Sequence, residues 1–207
     1  MKTLSKPLSE FSFVARERQN GETVAFKCGR DFLYFALHFF QPEMFNAEKL
    51  SPVEIDRQRL FGTPMPKGLA WTQLQFSKLP KFLKRQGYVL YINDKRISSY
   101  GAFVWANLFS GLKTRHMNPI QKIEMLVDSD VACAIDIPIK KGLMALIDHV
   151  LFVYGYDEKN LYVLDTLTVP GVGYEKVEGQ EGLYRLPKTV IEEKWSIFGR
   201  VWRLEKA

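Results

Sequence analysis

From Gly29 to Phe40 the chain reads Gly-Arg-Asp-Phe-Leu-Tyr-Phe-Ala-Leu-His-Phe-Phe, and Pro42 follows two residues later. Straight-chain and aromatic residues without a breaker predict a helix over this stretch, ended by the proline. Its apolar positions, Phe32, Leu33, Phe35, Ala36, Leu37, Phe39 and Phe40, go nearly all the way round the helical wheel. An amphipathic surface helix would have one apolar stripe, whereas this one has to be enclosed on every side. Whatever else the chain forms must therefore wrap this helix, and Cys28 sits at its N-terminus.

The remaining sequence has the means to do so. With 207 residues, 46% hydrophobic and 25% charged, the chain carries enough apolar surface for one core, and a single domain spanning 1–207 is expected. Helical signals come first. Ser51-Pro52 is a good N-cap and first-turn pair for a helix through Leu60; Gly62, Pro64, Pro66 and Gly68 mark a loop; a third helical pattern runs from Ala70 to Arg85. Gly87 closes it, the extended run Tyr88–Ile92 leads into a turn at Asn93-Asp94, and Ser98-Ser99 opens a fourth helix carrying Phe103, Val104, Leu108, Phe109 and Leu112.

After a linker around Asn118-Pro119 the pattern changes to strands. Val131–Ile137, His149–Tyr156, Leu161–Leu164 and Gly182–Leu186 read as extended, with Asp157-Glu158-Lys159-Asn160 as a hairpin turn. A short helix at Lys188–Lys194 and a closing strand within Trp195–Leu204 complete the chain. A helical subregion at about 26–115 followed by an antiparallel, strand-rich subregion at about 128–205 predicts a segregated α+β domain.

Charge and targeting narrow the function classes. Lys and Arg exceed Asp and Glu by 29 to 23, but the basic residues are scattered. The densest group, Lys78, Lys81, Lys84 and Arg85, has the helical spacing of a solvated face beside Leu79, Phe82 and Leu83. No nucleic-acid motif accompanies it, so no nucleic-acid partner is expected. Met1–Phe13 lacks the apolar run of a secretory signal, and the longest apolar stretches are strand-sized, so the expectation is a cytoplasmic chain without a membrane span.

Chemistry concentrates on few residues. Of the two cysteines, Cys133 lies in the apolar run Asp130–Ile137 and reads as a small buried hydrophobe. No cysteines or histidines have metal-ligand spacing, so neither a metal nor a cofactor is expected. Cys28 is different: unpaired N–H groups and aligned peptide dipoles at a helix start stabilise a thiolate. Gly29 leaves room for a substrate carbonyl to approach the backbone donors. Of three histidines, His38 falls inside the apolar helix and His116 in a polar linker, which leaves His149 at the head of an apolar strand. The next strand returns across the hairpin and ends on Asp165, near His149 in an antiparallel pair. Nucleophile, base and orienting carboxylate are then all present.

Cys28-Gly29 before an apolar helix, together with His149-Val-Leu-Phe-Val-Tyr-Gly-Tyr-Asp157 and Leu161-Tyr-Val-Leu-Asp165, resembles the papain-like cysteine peptidase clan. Within it, the likeness is to the peptidase domains that cleave double-glycine leaders and their uncharacterised relatives. Phe82–Leu90 and the C-terminal Lys194-Trp195 to Trp202 fit the family's order, so the resemblance covers most of the chain. It implies a papain-like fold and peptide or protein substrates, with Cys28, His149 and Asp165 as catalytic triad. Acyl transfer with the same residues, and a non-catalytic domain that binds peptides or proteins, are the alternatives. Arg30 and Asp31 stand where relatives carry Pro, Thr166 follows Asp165 in place of another Pro, and Glu22 occupies the oxyanion-hole Gln position. Gln19, or alternatively Asn20, is the nearest amide for that role.

Overall fold

A computed structural model describes residues 1–11, 28–43, 79–99, 101–103, 105–106, 118–138, 148–165, 171–195 and 199–207. Its first helix, α1 (Cys28–Phe40), begins one residue before Gly29, so that Cys28 is itself the first helical residue. Phe32 through His38 are all buried, as a helix without a polar face requires. Each Phe or Leu enclosed in this way contributes on the order of 1.5–3 kcal/mol.

The enclosure is supplied by an antiparallel sheet. Among the described residues it comprises β1 (Lys2–Thr3), β2 (Tyr88–Ile92), β3 (Lys95–Arg96), β4 (Cys133–Pro138), β5 (Asp148–Tyr156), β6 (Asn160–Leu164), β7 (Glu175–Lys176), β8 (Leu183–Pro187) and β9 (Arg200–Lys206). Their order across the sheet is β3-β2-β9-β4-β5-β6-β8-β7, and β1 pairs with the end of β5. α1 lies on one face: Phe32 and Phe35 meet Phe152 of β5 at ring-centroid distances of 6.3 and 5.7 Å, and Phe32 meets Trp202 of β9 at 5.8 Å.

The opposite face is covered by a helix where a linker was expected. α3 (Pro119–Asp128), which follows α2 (Leu79–Arg85), sets Ile120, Ile123, Leu126 and Val127 in one cluster with Ile135, Leu151, Val153 and Val201 of β4, β5 and β9. Its start is cut by Asn118, whose side-chain oxygen accepts from Ile120 N and Gln121 N at 3.0 and 3.1 Å, with Pro119 in the first turn. Because helices cover both faces, the central strands have no polar side. β4 is buried throughout and β5 at every position but its ends, which is why residues 150–154 are an unbroken apolar run.

The hairpin after β5 forms as the sequence predicts: Asp157 Oδ1 accepts from the backbone N–H groups of Lys159 and Asn160, both at 2.8 Å. The helix Lys188–Lys194 is also present, as α4, and the closing strand starts at Arg200. Lys81, Lys84 and Arg85 are exposed on α2. The molecule is α+β, although β1, β2 and β3 come from the N-terminal part of the chain, so the sheet is not confined to the second half. The helix from Ser51, residues 70–78, residues 107–112 and His116 lie outside the described residues.

The N-terminal residues are tied to the sheet at a point where only glycine fits. β1 crosses β5 at Gly155, and a Cβ there would stand 2.4 Å from the Lys2 carbonyl oxygen. Gly155→Ala is therefore expected to push β1 away and to lower stability in urea unfolding by about 1–3 kcal/mol. Gly101→Ala, where the nearest atom is 3.9 Å away in a helical segment, is expected to be neutral or slightly stabilising.

Candidate active site

Three elements converge on one point. Cys28 is half-buried at the first turn of α1, which packs on β5. His149 is the second residue of β5, opposite Ile137 of β4, and Asp165 is the first residue after β6. The β5–β6 register ends with Phe152 opposite Leu164. Continued by one pair it sets Asp165 across from Leu151, two residues along from His149 and hence its diagonal neighbour on one face.

That diagonal is closed by a hydrogen bond of 2.8 Å between His149 Nε2 and Asp165 Oδ2, with both residues buried. The ring also interacts electrostatically with Cys28. With Nε2 held by the carboxylate, Nδ1 is the nitrogen left for the thiol. Cys28, His149 and Asp165 are thus brought together across 137 residues of chain, from 28 to 165.

The electrostatic consequence is large. Burial of the imidazole acts to lower its pKa, but the hydrogen bonds and charges of Asp165 and Cys28 overcome this and raise it to about 10. At neutral pH His149 is an imidazolium hydrogen-bonded to Asp165. Such a proton is ready to be delivered to a leaving group, and such a cation stabilises a thiolate.

A fourth residue belongs to the site that the sequence reading did not include. Tyr174 OH donates to the same Asp165 oxygen at 2.6 Å. Its loop is shaped by Gly171 and Gly173, whose φ angles of 86° and 89° lie in the left-handed region. Lys194 of α4 donates to the carbonyl oxygens of Gly171 and of Val172, the latter at 2.9 Å, and the Tyr174 ring rests on Tyr184 of β8 at 4.5 Å. The sequence signal is the pair of glycines around buried Val172 just before the tyrosine, a turn rather than a period.

The other candidates separate clearly. Cys133 is fully buried and its thiol is pushed up to about 12 by desolvation, which makes it inert. His38 is a core residue, with Nε2 2.5 Å from the Glu10 carbonyl oxygen and the ring against Phe11 and Tyr34. Gln19, Asn20 and Glu22 lie outside the described residues, as do the side chains of Arg30 and Asp31. Among the described residues no group of three or more His, Cys, Asp or Glu could hold a metal ion, and no helix is long and apolar enough to cross a membrane.

Two measurements follow from this geometry. A histidine whose folded pKa stands above its unfolded value of about 6.5 contributes stability that is complete below that pH and lost as pH rises through about 10. The urea stabilities of wild type and Asp165→Asn are accordingly expected to differ most near pH 6.5 and to converge toward pH 10. Tyr174→Phe keeps the ring on Tyr184 but removes a donor to a buried carboxylate, and is expected to cost about 1.5–3 kcal/mol in the same assay.

No known protein family, curated protein or solved structure matches this chain.

Proposed function

We propose that the chain is a papain-like cysteine hydrolase that cleaves a peptide amide through an acyl-enzyme on Cys28. The observation that carries this reading is the buried imidazolium of His149, hydrogen-bonded to Asp165 and engaged by Cys28 at the start of α1. A structural histidine in a core has no need of a thiol on one side and a carboxylate on the other.

The reaction uses these groups in order. The Cys28 thiolate adds to the substrate carbonyl carbon, forming a C–S bond and an oxyanion beside the N-terminus of α1. As the tetrahedral species collapses, the C–N bond breaks and His149 gives its proton to the departing amine. Neutral His149 then takes a proton from water, the hydroxide adds to the thioester, and the C–S bond breaks. The products are a carboxylic acid and a restored thiolate–imidazolium pair. Throughout, Asp165 holds the ring through Nε2 and faces the positive charge on it. Tyr174 fixes the carboxylate in turn. Gln19, or Asn20, is the amide proposed to donate to the oxyanion.

Iodoacetamide labelling of the native protein tests this reading. Cys133 is sealed in the core, so native labelling reports Cys28 alone. At pH 6.5 Cys28 is expected to label rapidly, and His149→Ala to slow it about ten- to a hundredfold as the thiolate loses its cation. Equal rates in the two proteins would contradict the hydrolase assignment.

A further inference from the structure

A second ionic cluster is buried one residue away from His149. Arg200, the first residue of β9, donates from Nη1 to Asp136 Oδ2 of β4 at 2.7 Å and to Asp148 Oδ2 of β5 at 2.5 Å. The side chains of Arg200 and Asp136 are only 8% and 2% exposed. Since β4 lies between β9 and β5 in the sheet, the guanidinium reaches across a whole strand to join the beginnings of its two neighbours. Asp136 stands opposite Arg200 on one side and opposite Val150 on the other, which puts the cluster on the face that α1 covers.

We propose that Arg200 is a positioning residue for His149, acting through Asp148, the residue that precedes it on β5. The proposal rests on the hydrolase reading for its functional meaning, but not for its geometry. His149 is the second residue of β5, and the Asp148–Arg200 bond adds to the β4–β5 pairing a side-chain tie from this end of the strand to β9. Asp165 and Tyr174 hold the ring from its far side, and the Arg200 bridge holds the backbone from which the ring projects. β9 is itself fixed at this point: a Cβ on Gly199 would stand 2.5 Å from the Trp195 ring, so the chain passes flat beneath that indole just before Arg200.

The cluster is also more than a clip for the strands. Buried ion pairs seldom stabilise a fold more than apolar residues of the same volume would, so their location is informative. Here the location is next to the buried imidazolium of His149. Asp136 is faced by Arg200 from β9 and by Asp148 and His149 from β5; burial and Asp148 raise its pKa to about 7, against the opposing pull of Arg200 and His149. Its Oδ1 has no hydrogen-bond partner among the described residues. The Asp136 carboxylate and the His149 imidazolium stabilise one another through space, while Arg200 occupies Oδ2 of Asp136.

Three variants of the full chain test the assignment, read by the NMR titration of the His149 ring and by Cys28 labelling at pH 6.5. Asp148→Ala cuts the bridge to β5 and is expected to slow labelling about tenfold, the size of effect that a small misplacement of a reacting group produces. Asp136→Asn keeps an acceptor for Arg200 but removes a negative charge, and is expected to lower the His149 midpoint by about one pH unit. Glu124→Gln breaks the 2.6 Å Lys188 ion pair, remote from His149, and is expected to change neither readout. A wild-type titration of His149 in both Asp variants, or equal changes in Glu124→Gln, would overturn the proposal. Should His149→Ala leave labelling unchanged while Asp148→Ala still alters the His149 titration, the hydrolase reading falls and the positioning role stands.

Discussion

A helix with apolar side chains on every side cannot be left on a surface, and the rest of this molecule follows from enclosing α1. One face of a sheet meets it through Phe152, Tyr154 and Trp202, and residues 4–11 reach over it with Leu4 and Phe11. The sheet so used must bury its other face as well, which α3 and α4 do. The first turn of α1 carries the half-buried Cys28. The position that leaves a thiol accessible is also the one where the backbone N–H groups of the helix are free to favour its anion.

Burying an imidazole beside that thiol would ordinarily leave it neutral. The opposite holds here because Asp165 and Cys28 both gain from its charge, and the attraction outweighs the desolvation. The carboxylate is kept in place by Tyr174, through a loop that two glycines and Lys194 shape. On the strand side, Arg200 with its two carboxylates sits against the same charge. Around His149 the protein thus gathers oppositely signed groups in a solvent-poor setting.

Much of this was legible in the sequence where a local period or turn encodes it. The strand from His149, the Asp157–Asn160 hairpin and the return to Asp165 follow from apolar runs and one Asp-led turn, and their antiparallel pairing is enough to set His149 and Asp165 on a diagonal. α3 is also readable, since Asn118-Pro119 has the same cap logic as Ser51-Pro52 and Ile120, Ile123, Leu126 and Val127 keep helical spacing across Gln121, Lys122 and Glu124. β1, β3 and β7 are two residues each and have no period to detect. Tyr174 reaches the site through a loop, and Arg200 meets Asp136 and Asp148 from 64 and 52 residues away, distances that no local pattern expresses. Sheet order created both contacts.

The central claim is that Cys28, His149 and Asp165 act as one acylation site, and the most direct measurement does not depend on the natural substrate. Intact-mass analysis of the protein during reaction with p-nitrophenyl acetate follows the acetyl group on the chain. The account predicts a single acetyl on Cys28 that appears with a burst of nitrophenolate and is then hydrolysed, with acylation strongly slowed in His149→Ala. An unmodified Cys28, or one acetylated at the same rate in His149→Ala, would contradict it.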